Sequence, residues 1–366
     1  MDLTSEQRDL RDAVRGLLDR HGPGTAPVPG APGPGYDPAL WLRLCGEIGV
    51  AGLAIPQHYG GAGAGPVETH IVCEELGRRL TPSPLLGSAV LAAQALLASG
   101  DPAACQRLLP AVAGGTAIAA LAWTGSDGHW DAGGAAYEAL PATGWVLTGE
   151  AHYVLDGDTA GVLLAAARTP DGIALFEVDP RQPGVTRCAA PAMDPSRRLA
   201  AVRLDGATGR LIGGGAGRAA LEAARDLACV ALTAEQVGAA QRALDLTVAY
   251  TKVRVQFGQA IGSFQALQHR MADLHVLVRS ARSLSYAAAS AAAEGAPDLG
   301  LRAAAAKAYC SEALARVAGQ MIQLHGAIGI TWEHDAHRYF KRAHGAGQLF
   351  GRPAEHIARV AAAVIS

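Results

Sequence analysis

Aromatic residues make up only 5% of this 366-residue chain, too few for the stacking platforms that hold single-stranded nucleic acid. No excess of one charge exists either. The 31 Lys and Arg face 33 Asp and Glu, for a net charge of −2, and the two signs are interspersed. That leaves no basic footprint for nucleic acid or an anionic membrane. No apolar run reaches the ~20 residues a membrane span needs. The first residues include Asp2, Glu6, Arg8 and Asp9, the wrong opening for a secretory signal. Six cysteines (Cys45, Cys73, Cys105, Cys188, Cys229, Cys310) lie far apart without a C-x-x-C pair. Their spacing predicts reduced, mostly buried thiols in a cytoplasmic protein. What is plentiful is apolar side chain, half of all residues, enough at this length for two or three domains around a large core.

The texture changes twice along the chain. Residues 1–113 read as an α-helical domain. Thr4, followed three residues later by Gln7, forms a capping box. Leu10, Val14, Leu17 and Leu18 then repeat at helical spacing, and His21-Gly22-Pro23 stops the helix. A connector carrying Pro23, Pro27, Pro29, Pro32, Pro34 and Pro38 is too rich in proline to be helical. Further helices are expected near 38–49, 66–80, 84–99 and 101–113. Residues 114–214 hold short apolar or alternating runs at 116–123, 144–148, 161–167, 172–178 and 199–204, cut by Gly, Pro and Asp. They predict a small antiparallel β domain. Residues 215–366 are Ala-rich and helical again. Long segments at 217–256, 263–294 and 298–325 with short Gly/Pro links predict an up-down four-helix bundle, with shorter helices near 333–344 and 353–365. The fold class expected is therefore α+β.

Two motifs stand out in the last segment. The first is Arg254-Val255-Gln256-Phe257-Gly258-Gln259-Ala260-Ile261-Gly262-Ser263-Phe264-Gln265. A guanidinium at a helix end can hold a pyrophosphate dianion bidentately. Phe257 offers an aromatic surface, and Gly258 lets backbone pass close to a ligand. The second is Gln323-Leu324-His325-Gly326-Ala327-Ile328-Gly329, followed by His337-Arg338-Tyr339-Phe340-Lys341-Arg342-Ala343. Together with the order helices, strands, long-helix bundle, these motifs resemble the acyl-CoA dehydrogenase family over nearly the whole chain. The resemblance implies an N-terminal helical domain, a middle β domain, a C-terminal bundle and FAD as cofactor. It implies that Arg254, Gln256, Phe257 and Gln265, with Gln323, Gly326, Ala327 and Gly329, complete the FAD site of a neighbouring subunit. Ala327 stands where relatives carry a second glycine.

The other half of the implied site is poorly kept. Relatives hold the flavin ring and the thioester with a T-E-P…G-S-D loop and a W-[IVL]-[ST]-N-G strand. Here the first reads Trp123-Thr124-Gly125-Ser126-Asp127, shorter by about four residues, and the second Tyr153-Val154-Leu155-Asp156-Gly157. Thr124 and Ser126 remain as candidate substrate contacts. Desaturation of an acyl thioester needs a carboxylate to take the α-proton while hydride leaves for the flavin, and a placed base is worth ~10²–10⁴ in rate. The two base positions of the family fall on Phe350 and Ala228, neither of which accepts a proton. Asp226 lies two residues from the second, roughly 200° around a helix. No catalytic residue is assigned.

Other patterns carry less. Glu333, His334, Asp335, His337 and His344 lack the H-E-x-x-H spacing of a metal site. Gly60-Gly61-Ala62-Gly63-Ala64-Gly65 lacks the G-K-[ST] of a phosphate loop and reads as a turn between helices. Gly213-Gly214-Gly215 reads as the hinge into the bundle. Three expectations follow. One is a non-catalytic subunit whose partner acyl-CoA dehydrogenase carries the glutamate, like the short subunits of actinobacterial α2β2 enzymes acting on acyl-CoA. The second is a self-sufficient homotetrameric flavoprotein with an unusual base or with altered chemistry that needs none. The third is a scaffold without FAD. CoA and carrier-protein thioesters are both open.

Overall fold

The computed structural model describes residues 3–21 and 33–365; most of the proline-dense connector lies outside them. Helix α1 (Ser5–His21) opens on the capping box read from the sequence, with Gln7 N–H donating to Thr4 Oγ1 at 3.2 Å and Thr4 N–H to Gln7 Oε1 at 3.1 Å. Val14, Leu17 and Leu18 form its buried stripe. Helix α2 (Pro38–Arg43) is capped by Asp37, whose carboxylate accepts from Ala39 N at 2.9 Å. It passes into a π-helical turn over Leu44–Ile48. Helix α3 (Pro66–Arg78) follows the Gly60–Gly65 turn. A second π-helical stretch, Leu86–Ala92, runs into α4 (Ala93–Ala98), and α5 (Pro102–Ala113) starts from an Asp101 cap.

Seven strands follow: β1 (Ala119–Ala122), β2 (Tyr137–Pro141), β3 (Trp145–Leu155), β4 (Val162–Thr169), β5 (Gly172–Val178), β6 (Val185–Ala190) and β7 (Leu199–Ile212). The ladders β4–β2–β3–β7–β5 close back on β4, with β1 added to β4 and β6 to β7. The sheet is not purely antiparallel as the sequence suggested. β1 and β2 both pair with β4 in parallel, because long excursions rather than hairpins separate those strands. Strands β2 and β6 were not anticipated. The first ends in proline and the second is only partly buried, so neither shows a clear apolar alternation.

The last third is helical: α6 (Gly217–Val253), α7 (Gln265–Ala293), α8 (Leu299–His325), α9 (Ala336–Gln348) and α10 (Pro353–Ile365). Small residues let these helices approach closely. A Cβ on Gly238 of α6 would lie 1.9 Å from the Glu74 carbonyl of α3, and one on Gly77 would lie 2.2 Å from the Glu235 carbonyl. Arg342 of α9, almost wholly buried, ties the bundle to the β domain. It donates to Asp194 at 2.7 Å, to Ser196 Oγ at 2.7 Å and to Glu235 of α6 at 3.3 Å, while Arg197 also pairs with Glu235. Among the described residues no helix is long and apolar enough to cross a membrane. All six cysteines are free, and Cys188 on β6 is the exposed one.

Candidate functional site

Helix α6 ends where Tyr250 O accepts from Arg254 N–H at 2.9 Å and Arg254 turns extended. A two-residue hairpin follows, pairing Val255 with Ala260 and Gln256 with Gln259. Its corner residues, Phe257 and Gly258, both have positive φ (53° and 78°), the signature of a type I′ turn. That conformation is costly for an aromatic residue, and it leaves the Phe257 ring 92% exposed. Arg254, Gln256 and Gln265, the first residue of α7, are exposed as well. Among the described residues the Arg254 guanidinium has no ion-pair or hydrogen-bond partner. A free guanidinium beside an exposed ring is a surface shaped for something outside the chain.

The Gln323–Gly329 turn lies against this corner, although 69 positions separate Arg254 from Gln323. The Tyr250 ring stacks on His325 at 4.3 Å, and its hydroxyl donates to the His325 carbonyl at 3.3 Å. Gln323, Gly326 and Ala327 are exposed; Gly326 breaks the helix with φ 65°. Gly329 is buried, and a Cβ there would meet the Ile322 carbonyl at 3.1 Å. Its smallness lets the turn fold back on α8.

At the opposite end of the bundle core lies a cleft of about 640 Å³, lined by Thr124, Asp127, His129, Trp130, Phe350 and Glu355 among others. Thr124 lines it but is buried, and its carbonyl accepts from His152 N–H at 2.8 Å; Ser126 is exposed and does not line it. Bulges in β3 opposite β7 throw Tyr153 outward and leave Leu155 buried, as such irregularities re-aim side chains. The Trp123 indole donates to the carbonyls of Asp131 and Gly134, winding the following loop around it. Trp130 then packs edge-on between Trp123 (5.6 Å) and Phe350 (5.0 Å). Three rings fill the floor of the cleft.

Phe350 itself is 1% exposed and left-handed, with φ 60°. The backbone around it is held from below. Lys307 of α8, fully buried, donates to the carbonyls of Gly347 (3.3 Å) and Gly351 (3.2 Å) and to Ser311 Oγ (3.0 Å). Burial lowers its pKa to about 8. His356 Nε2 lies 3.1 Å from the Phe350 carbonyl, and burial takes its pKa down to about 4. Ala228 is buried beside Cys229, whose thiol burial pushes up to about 12. Asp226 is occupied by Arg359 at 2.8 and 3.0 Å and by Arg225. Burial pushes the Glu355 carboxyl up, but hydrogen bonds from Arg352 outweigh it and hold it below its usual range. A general base needs the reverse shift.

Trp130, Lys307 and His356 were missed in the sequence. Lys307 left a signal: it is a lone cation in an alanine run, with Ala303, Ala304, Ala308 and Leu314 buried around it on α8.

A helical N-terminal part, a closed β domain and a long-helix bundle, with a surface corner at one place and a cleft at another, define the acyl-CoA dehydrogenase architecture. Comparison with known proteins agrees. The family profile for the acyl-CoA dehydrogenase N-terminal domain matches residues 4–116, and that for the C-terminal domain matches residues 215–365. Acyl-CoA dehydrogenase IpdE2 of Mycolicibacterium smegmatis is 40% identical over 362 residues, 98% of this chain and 99% of the relative. One chain of the ChsE4–ChsE5 complex of Mycobacterium tuberculosis superposes with a TM-score of 0.87 at 30% identity, over 100% of this chain and 99% of that one. Butyryl-CoA dehydrogenase of Megasphaera elsdenii shares the fold with a TM-score of 0.92 at 23% identity, covering 100% of both. The chain belongs to the acyl-CoA dehydrogenase family, whose members are flavin-dependent.

Proposed function

We propose that this chain is the subunit of a flavin-dependent acyl-CoA dehydrogenase that lacks the catalytic glutamate and completes the FAD site of a partner subunit. The assembly desaturates an acyl thioester at its α,β bond, and the partner carries the base. The observation that carries this reading is the contrast between the two ends of the bundle. Phe350, where the family resemblance puts the base, sits buried against Trp130, while Arg254 stands exposed with no side-chain partner among the described residues and Phe257 is 92% exposed.

The exposed corner fits the adenosine diphosphate end of FAD. Arg254 would meet the pyrophosphate, and Gln256, Phe257, Gln265 and the Gln323–Ala327 segment would line its path, with buried Gly329 shaping the turn. The cleft fits it poorly, because the rings of Trp123, Trp130 and Phe350 occupy its floor. FAD supplies the hydride acceptor of the reaction; the chain's own residues bind and orient it. The two-protein make-up of the ChsE4–ChsE5 complex supports a partner of the same fold.

The chain is purified alone and together with a glutamate-bearing acyl-CoA dehydrogenase partner, and the flavin absorbance of each is recorded. Flavin only in the complex is the expected result. Bound flavin with turnover in the lone chain would instead establish a self-sufficient enzyme, and absence of flavin in both would leave a scaffold. Within the complex, Arg254→Ala removes a charge-assisted contact worth ~1.5–3 kcal/mol, so flavin should bind about 10–100-fold more weakly.

A further inference from the structure

The segment Glu333-His334-Asp335 was set aside as a metal motif, yet the fold gives His334 a specific place. Its ring lies 4.3 Å from His325, which stacks in turn on Tyr250. Tyr250 and His334 also meet edge-on at 6.4 Å, so three rings from α6, the end of α8 and the lead-in to α9 form one bent column beside the Gln323–Gly329 turn. Hydrogen bonds assign the protons. His325 Nδ1 donates to the Met321 carbonyl at 2.7 Å, leaving a bare Nε2 that is buried and has no partner. His334 Nδ1 accepts from Ala336 N–H at 3.1 Å, capping α9. The Met321 carbonyl thus requires the proton on His325 Nδ1, and the Ala336 N–H requires a bare Nδ1 on His334.

We propose that the Tyr250–His325–His334 column is the positioning device of the turn, fixing it against the end of α6 so that Gln323 and Arg254 present one surface to the dinucleotide bound by the partner. The proposal rests on the half-site reading above. These are positioning residues, since each acts through the turn it holds.

The column holds while His325 is neutral and the Ala336 N–H keeps its acceptor on His334 Nδ1. A proton on His325 Nε2 leaves a buried charge without an acceptor. The surroundings offer little relief. Arg338 takes up Asp335 at 3.0 Å, Lys341 sits over the Trp332 ring, and His337 and Glu333 complete the charged groups nearby. Burial and then the charge of Lys341 lower the His337 pKa, and burial likewise lowers that of His325. Acidification into the range where imidazoles titrate should therefore loosen the turn.

Two measurements test this on the full chain and on its complex: flavin release from the complex, and amide hydrogen exchange over residues 323–330 in the chain alone, corrected for intrinsic rate. Both are followed at about pH 8 and about pH 5.5, a window that spans imidazole titration. The parent should lose flavin and exchange about tenfold faster at the lower pH, the effect of roughly one unit of linked titration. His325→Phe keeps a ring against Tyr250 and removes the imidazole, so its pH dependence should shrink to within about twofold. His334→Asn keeps an acceptor for the α9 cap but no ring, and should be fast at both pH values. A parent-like pH profile in His325→Phe, or parent-like rates in His334→Asn, would overturn the column's role. Arg254→Ala in the same complex separates the two ideas. If it leaves flavin binding unchanged, the half-site reading fails, and the exchange data still judge the column by itself.

Discussion

Placing a carboxylate at Phe350 is the sharpest perturbation available. Phe350→Glu replaces a fully buried ring packed edge-on against Trp130 at 5.0 Å. Full burial of a phenylalanine is worth ~1.5–3 kcal/mol, and an edge-to-face pair adds ~0.5–1.5 kcal/mol. Removing both costs about 2–4.5 kcal/mol, before any penalty for enclosing a polar group there. Urea unfolding followed by circular dichroism should therefore show a loss of at least ~2 kcal/mol. Turnover is expected not to follow. A positioned base is worth ~10²–10⁴ in rate, but only where the rest of the site exists, and Trp123 and Trp130 still fill the floor of the cleft. Dye-coupled oxidation of an acyl-CoA by the lone Phe350→Glu chain should stay at background. Turnover of ~1 s⁻¹ or more, ordinary for an enzyme, would refute the filled-cleft argument. A stability change below ~1 kcal/mol would refute the packing it rests on.

Two further outcomes follow from buried charges. Burial raises the Asp156 carboxyl to about 7, so between about pH 4 and pH 7 the folded chain keeps a proton that the unfolded chain releases. Its contribution to stability is present at low pH and lost as pH rises through that window. Asp156→Asn, tolerated at φ 54°, should match the parent near pH 4 and exceed it by a few kcal/mol near pH 8; parallel stability–pH curves would contradict this. Arg342→Met strands Asp194 and part of the Glu235 demand in the interior, and breaking such a buried pair costs ~3–5 kcal/mol. Burial raises the Asp194 carboxyl, but the Arg342 charge and Ser196 hydrogen bonds outweigh it and hold the pKa low. The deficit should therefore be largest near neutral pH and narrow as acid protonates the carboxylates. A pH-independent deficit would point to packing instead.

By itself the sequence determined what local chemistry can determine. The Thr4–Gln7 box, the α1 stripe, the long alanine helices and the change of texture near 114 and 215 follow from spacing and propensity, which need no neighbours. The residues Arg254 to Gln265 and Gln323 to Gly329 were legible as motifs, and Phe350 as a side chain that accepts no proton. Three things required the fold. The direction of the β4 ladders depends on which distant strand docks, so composition could not tell parallel from antiparallel. The column of Tyr250, His325 and His334 joins rings spread over 84 positions, and no periodicity links them. Lys307 reads as an ordinary helical cation until burial removes water and leaves it carbonyls for partners. In each case an energy set by desolvation and long-range contact, rather than by neighbours in sequence, made the decision.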